Sequence, residues 1–161
     1  MTKQKNLPDT LNQDQFMRIY RGELERHSDE LISEIKQVLA ITPNQDVTSA
    51  HLVVFPDEYG DGYATVSMYF DGKNKKIDNA DKSIFPGRHI SFVEYVRDLP
   101  LVDVMAYEER FPMRDLTVDM VKQWVAECWW KAGGWNYPLN VEIFAGEGFG
   151  KSESILLSKG I

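Results

Sequence analysis

Residues 116–145 constrain the fold more strongly than any other part of the chain. The first half of this segment predicts a helix over about 117–132, because Thr117 is a favourable N-cap residue and the Gly-Gly pair at 133–134 supplies a left-handed stop. The second half, residues 140–145, is rich in strand-forming side chains and predicts a β-strand. An amphipathic helix followed by a strand predicts one layer of helix packed on one layer of sheet.

The apolar side of this helix predicts which of its residues lie in the core. At about 100° per residue, Trp130 falls opposite the apolar arc, where an indole needs either a second layer of chain or a partner. Trp135 and Tyr137 follow shortly after the Gly-Gly stop. These three rings are expected to form either a satellite cluster under a loop or the N-terminal helix, or an exposed patch for an interaction. The apolar arc comprises Val118, Val121, Val125, Cys128, Trp129 and Ala132, with Trp124 at its edge.

The N-terminal region predicts a flexible polar tail, residues 1–9, and then a long helix. Thr10-Leu-Asn-Gln13 has the form of a capping box, which opens a helix that extends to about Ala40. The apolar stripe of this helix is broad, which favours packing on a sheet over a coiled-coil dimer. His27 lies in the stripe and is interpreted as a half-buried histidine rather than a metal ligand.

The central region predicts an antiparallel hairpin. Residues 48–55 and 62–70 are β-rich and flank a turn, and polar and apolar residues alternate in the second run. One face of the hairpin is therefore expected to meet the helices and the other to be wetter. The further elements predicted are a third strand near 75–78, a short strand near 83–85, helical turns around 92–96 and 101–108, and a final strand at 154–157.

Together these elements predict a single globular α+β domain over residues 10–161. Its antiparallel sheet carries the long N-terminal helix and the 117–132 helix on one face. A chain of 161 residues is long enough for one core and short for two ordinary domains. The single cysteine, Cys128, excludes an internal disulfide, and its place on the apolar arc predicts a small buried side chain rather than a nucleophile.

Composition and charge restrict the expected location and partners. No apolar run approaches the roughly 20 residues of a membrane helix, and the N-terminus lacks the apolar core of a secretory signal. We therefore expect a cytoplasmic protein without membrane association. The net charge of −7 weighs against nucleic acid, whose binding proteins gather Lys and Arg on one face, and it suits a basic protein partner.

Residues 145–152, Ala-Gly-Glu-Gly-Phe-Gly-Lys-Ser, fit the loose pattern of a phosphate-binding loop that follows a strand. In a nucleotide-binding domain, a helix starts at the Lys-Ser pair and aims its N-terminus at the phosphates. Here the strand-like run 155–157 follows instead. We therefore interpret the segment as a glycine-rich turn, and no cofactor is expected.

Other metal or catalytic patterns are incomplete. Asp57-Glu-Tyr-Gly-Asp-Gly62 has the spacing of the start of a calcium loop, but Met68 stands where the bidentate carboxylate belongs. His27, His51 and His89 are far apart in sequence and lack the spacing of a known metal or catalytic motif. No metal site and no catalytic residue is predicted.

The sequence thus favours a non-catalytic protein-binding module. Its more specific form is a small acidic protein that neutralises a basic partner, as immunity proteins do for toxins. In this hypothesis Trp130, Trp135 and Tyr137 are apolar anchors, and a rim that steers the cationic partner comprises Asp57, Glu58, Tyr59 and Asp61.

Two alternatives remain open at this stage. One is a small hydrolase-like enzyme whose site combines His51 or His89 with the acidic residues of 57–61. The other is a structural subunit that dimerises through the long helix. Both a monomer and a homodimer are therefore compatible with the sequence.

Overall fold

A single helix, α4 (Met113–Lys131), lies between a five-stranded sheet and two N-terminal helices in the computed structural model, which describes residues 8, 10–55, 64–92, 104–146 and 148–160. The two N-terminal helices, α1 (Gln13–Arg26) and α2 (Ser28–Leu39), pack against α4. The other elements are β1 (Val47–Phe55), β2 (Thr65–Gly72), β3 (His89–Ser91), α3 (Val104–Glu108), a 3-10 turn (Gly134–Asn136), β4 (Asn140–Ala145) and β5 (Ile155–Lys159).

The strands form one sheet in the order β3-β2-β1-β4-β5. The predicted α+β class is confirmed, since helices accompany a sheet that is antiparallel at every described strand pair except β1–β4. There β1 runs parallel to β4, with Ser49 opposite Asn140, because the chain crosses over through α4 between these two strands. The predicted hairpin forms as β1 and β2, and the predicted strand at 140–145 coincides with β4.

Helix α4 is buried on nearly all sides, which a single apolar arc did not predict. Besides the expected arc, Met120 and Ala126 are buried, because α1 and α2 cover the side of α4 that faces away from the sheet. The helix also begins earlier than predicted, at Met113 after Pro112. Thr117 is therefore not the N-cap but a buried residue within the helix.

The C-terminal end of α4 follows the prediction. Gly133 adopts the left-handed conformation, with φ 89°, that stops the helix. Gly134 then passes so close to the Trp129 indole that a Cβ at this position would lie 2.2 Å from Nε1. A side chain is therefore disfavoured at Gly133 by the left-handed backbone and at Gly134 by the Trp129 ring.

The long N-terminal helix is two helices, contrary to the prediction of one. The chain breaks at His27, and the capping box is formed by Asn12 and Gln15 rather than by Thr10 and Gln13. Ser28 opens α2, and its hydroxyl accepts a hydrogen bond of 2.9 Å from the Trp124 indole of α4. The break lets both short helices keep an apolar side on α4; the buried residues are Phe16, Tyr20 and Leu24 in α1 and Leu31, Ile35 and Val38 in α2.

Two smaller strand predictions are corrected between β2 and β3. Residues 75–78 form no strand, because Asp78 and Asp81 accept local backbone hydrogen bonds and hold irregular turns there. Near 83–85 the chain forms only an isolated bridge, from Ile84 to Pro43. The predicted helical turn at 101–108 appears as α3, whereas most of the turn predicted at 92–96 and the polar tail lie outside the described residues.

Among the described helices, none combines the length and the apolar character that crossing a bilayer requires.

Cys128 is buried on α4, as predicted. Burial raises the pKa of its thiol to about 11, although the hydroxyl of Ser28 and the charge of Lys131 act in the opposite direction. Since the thiolate is the reactive form, we expect Cys128 to react very slowly with a disulfide reagent at pH 8 in the folded protein and rapidly in denaturant.

The matched control is Ile77→Cys in a Cys128→Ala background, because Ile77 is 92% exposed and its replacement should react at once. Rapid labelling of native Cys128 would show that α4 does not hold this side chain in the core.

Candidate functional site

The sheet face opposite α4 carries four rings in a row across four strands. Neighbouring residues of a strand point to opposite faces, so Leu52 and Met68 enter the core while His51 and Tyr69 point away from it. His51 lies opposite Tyr69 in the β1–β2 register, and Tyr69 lies opposite His89 in the β2–β3 register. We call this set the ring row; its members, from β4 to β3, are Phe144, His51, Tyr69 and His89.

The rings of the row stack on one another at about the spacing of the strands. The centroids of His51 and Phe144 are 5.5 Å apart with an interplanar angle of 16°. Those of His51 and Tyr69 are 5.3 Å apart at 19°, and those of Tyr69 and His89 are 5.9 Å apart at 26°. Near-parallel rings at these distances attract one another and restrict each other's rotation.

A hydrogen bond fixes the centre of the ring row. Nδ1 of His51 lies 2.7 Å from Oδ2 of Asp71, at the end of β2. The other carboxylate oxygen of Asp71 lies 4.0 Å from Nζ of Lys75. A carboxylate at Nδ1 orients an imidazole and favours the tautomer with its proton on that nitrogen, which leaves Nε2 as an acceptor.

The ring row has polar and acidic neighbours on the same face. Glu142 is exposed and lies opposite His51 in the parallel β1–β4 register. The hydroxyls of Ser67 and Ser91 are 3.4 Å apart across β2 and β3. The face thus combines partly exposed rings with an acid on either side of its central imidazole, which suits contact with a protein surface that carries cationic side chains.

The described chain offers no metal centre at this face or elsewhere: among those residues, no group of three or more His, Cys, Asp or Glu is placed to hold an ion. The His51–Asp71 pair alone has the geometry that orients a catalytic base. In the described parts of the chain, however, no serine or threonine hydroxyl and no thiol is hydrogen-bonded to His51.

The structure separates the residues that the sequence grouped as partner anchors. Trp130 is 38% exposed and Trp135 is 48% exposed, both near β5. Tyr137 is buried at 4% exposure, with its ring edge-on to Trp129 at 5.7 Å, so it belongs to the core. Burial also raises the pKa of the Tyr137 hydroxyl to about 12.

The acidic rim predicted at Asp57, Glu58, Tyr59 and Asp61 lies outside the described residues. Phe55, the last residue of β1, stands at the far end of that strand from Ser49, which pairs with the start of β4 just after the 3-10 turn of Trp135. At about 3.3 Å per residue, Phe55 and Ser49 are roughly 20 Å apart along β1.

The sequence indicates His51 and His89 only as members of an alternative enzyme site, and it does not reveal Phe144, Tyr69 and Asp71 as their neighbours. Alternation along β2 placed Tyr69 on a wet face, but contact between strands depends on register, which alternation does not give. Asp71 precedes Gly72 in a pair that favours a turn locally, whereas β2 extends through both residues and the Asp71 carboxylate reaches His51.

Residues 150–152 of the glycine-rich segment are bonded to α4, because two acids of this helix accept hydrogen bonds from their backbone amides. The amide of Gly150 donates to Asp115, at 2.7 Å. The amide of Lys151 and the amide and hydroxyl of Ser152 donate to Asp119, at 2.9, 3.2 and 2.7 Å. Carboxylates therefore accept from the kind of backbone amides that a phosphate-binding loop directs at a phosphate.

The buried side chain of Lys122 also bonds α4 to the segment before β5. Its side chain is 1% exposed, and Nζ donates to the carbonyls of Ser152 and Glu153 at 2.9 and 2.8 Å and lies 3.7 Å from Asp119. The pKa of Asp119 lies below its usual value. Partial burial would raise this pKa, but the hydrogen bonds from Lys151 and Ser152 and the charge of Lys122 outweigh that effect.

Removal of the buried ammonium should destabilise the fold. We expect Lys122→Met to lower the free energy of unfolding by about 3 kcal/mol, since two carbonyls lose their hydrogen-bond donor and Asp119 loses a nearby positive charge. Lys131→Met, on the exposed end of the same helix, should change it little. Urea unfolding of the three proteins measures the difference, and equal stabilities would contradict the role assigned to Lys122.

The pH dependence of stability should report on Asp119. Its folded pKa is depressed, so its contribution is present above the unfolded value near 3.8 and is lost as the pH falls through the lower, folded value. Asp119→Asn should therefore be less stable than the wild type at pH 7, with a difference that shrinks below about pH 4. Glu109→Gln, at an exposed position, serves as the control. A difference that stays constant with pH would contradict this assignment.

Comparison with known proteins gives a family but no activity. No curated protein and no solved structure gives a significant match to the chain. One family model matches residues 11–159, which include every described strand and helix. Its description is a family of unknown function, so it names neither substrate nor partner. The chain is a member of this family of unknown function, DUF6389.

Proposed function

We propose that the chain is a non-catalytic protein-binding module that holds a basic partner protein against the ring row. The observation that carries the proposal is the stacked, partly exposed row of Phe144, His51, Tyr69 and His89 on the sheet face that points away from the core. Aromatic side chains contribute much of the binding energy at protein interfaces.

The rigidity of the row supports this proposal. Each ring is stacked on at least one neighbour, and the central imidazole is also tied to Asp71. Ordering free side chains on association costs about 0.5–1.5 kcal/mol for each one, so rings that are already ordered bind at a smaller entropic cost.

Charge supports a basic partner. The chain carries a net charge of −7, and Glu142 and Asp71 flank the centre of the row. A field of this sign accelerates encounter with a cationic protein and opposes acidic competitors. An immunity-type protein in the cytoplasm, which neutralises a basic toxin, is the more specific form of this proposal.

A photo-crosslinker at Phe144 tests the binding surface. We expect benzoylphenylalanine at position 144, which keeps the phenyl ring and adds a photoreactive benzoyl group, to trap a basic protein in cells that carry the chain, because this ring lies at the exposed end of the row. The adduct yield should fall at high salt, since the attraction is partly electrostatic.

The same probe at Met105, which is 69% exposed on α3, is the control and should give no such adduct. Equal trapping at both positions, or an acidic protein as the trapped species, would contradict the proposed surface and partner.

The His51–Asp71 pair supports a second candidate function, a hydrolase-like enzyme in which His51 is the general base. Its imidazole is stacked between Tyr69 and Phe144, and none of the described hydroxyls is bonded to it, which favours the binding module.

Hydrolysis of activated esters discriminates between the two functions. A binding module should hydrolyse p-nitrophenyl esters no faster than its His51→Gln variant, because no positioned nucleophile takes part. His89→Gln controls for nonspecific catalysis by surface imidazoles. A rate that collapses in His51→Gln and survives in His89→Gln would establish the enzyme in place of the binding module.

A further inference from the structure

Strand β5 forms one outer edge of the sheet. It pairs with β4 on one side, and among the described strands none pairs with its other side. An edge strand presents backbone donors and acceptors that can pair with another strand. The sequence of β5 and the residues beside it indicate what this other strand is.

The segment from Glu153 to Lys159 is self-complementary about Leu156. If two copies of this segment run antiparallel with Leu156 opposite itself, Glu153 of one copy faces Lys159 of the other. In the same register Ser154 faces Ser158, and Ile155 faces Leu157. Charge thus meets opposite charge, hydroxyl meets hydroxyl and aliphatic meets aliphatic, which are favourable cross-strand pairs.

Two exposed indoles lie beside the same edge. The Trp130 indole donates from Nε1 to the carbonyl of Leu157, at 3.2 Å, yet the residue remains 38% exposed. Trp135 is 48% exposed on the 3-10 turn that packs next to β5. Exposed indoles beside an unpaired strand are typical of an interface.

A bulge in β5 limits what the backbone alone can contribute. Val141 pairs with Ser158 and Glu142 with Leu156, so Leu157 is an extra residue without a partner on β4. The Trp130 indole satisfies its carbonyl instead. A bulge disturbs the outer ladder too, so side chains must supply much of any contact at this edge.

We propose that the chain forms a two-fold symmetric homodimer in which β5 pairs with β5 of a second copy, centred on Leu156. The backbone ladder is short, the Glu153–Lys159 pairs fix its register, and the Trp130 and Trp135 indoles of both copies cover it. A closed two-fold contact of this kind leaves the ring row of each copy on the outer face of a continuous sheet. The proposal does not depend on the function assigned to that row.

Charge reversal tests the register. Light scattering across a concentration series should show a dimer for the wild type, and Glu153→Lys or Lys159→Glu alone should raise its dissociation constant roughly tenfold, because two pairs per dimer become repulsive. The double variant Glu153→Lys with Lys159→Glu should restore wild-type affinity. Lys36→Glu, exposed on α2, is the control and should leave the dimer unchanged.

A disulfide trap provides a second measurement on the full-length protein. In a Cys128→Ala background, Leu156→Cys places two thiols opposite each other, at a Cα separation of about 4.5–5.5 Å that a disulfide can span. Oxidation should convert this variant to a covalent dimer, whereas Ile77→Cys should stay largely unlinked.

A wild type that stays monomeric at about 200 µM, far above the dissociation constants of stable dimers, would overturn the proposal. So would a dimer that neither single charge reversal weakens, or a Leu156→Cys variant that crosslinks no faster than Ile77→Cys. A weaker dimer in both single reversals and recovery of wild-type affinity in the double variant would support it.

Discussion

Burial of α4 between two layers is the constraint on which the rest of the structure depends. The sheet covers one side of this helix and α1 with α2 covers the other, so its side chains form most of the contact between the layers. A helix in this position must be apolar nearly all round, and a charged side chain that it buries needs partners. Lys122 meets this requirement because the turn before β5 turns two carbonyls towards it.

This arrangement also explains why the sheet has one wet face. Of the described helices, α4 is the one that packs extensively on the strands, and the ring row lies on the opposite face of the sheet. Side chains on such a face do not pack in the core. Core packing therefore does not restrict their type, and they can contribute to recognition of a partner. Stacking at 5.3–5.9 Å gives the row an order that surface side chains usually lack.

The sequence determined the elements better than their contacts. The α4 stop, the β1–β2 hairpin and β4 were all predictable, because left-handed glycines, alternation and apolar periodicity are local signals. The break at His27 was not, since no glycine or proline marks it and the helix that both α1 and α2 pack against, α4, is distant in sequence. Thr117 was misplaced for a similar reason: local propensity favours a cap there, but tertiary packing extends the helix by one turn.

In the candidate site too, the strands were predictable but the contacts between their side chains were not. Each member of the ring row lies in or next to a segment with strand character, yet only register brings the four rings together, and register is set by pairs far apart in the chain. Asp71 illustrates the limit, because an Asp-Gly pair signals a turn locally while the long β2 strand carries the carboxylate to His51.

The parallel pairing of β1 with β4 has a consequence for how the chain reaches this fold. Central strand β1 obtains one neighbour from the adjacent hairpin, but the other arrives only after most of the sequence, since Ser49 pairs with Asn140. Closing so long a loop is entropically costly, and folding slows as contacts become more distant in sequence. During synthesis, one edge of β1 therefore stays unpaired until β4 has left the ribosome.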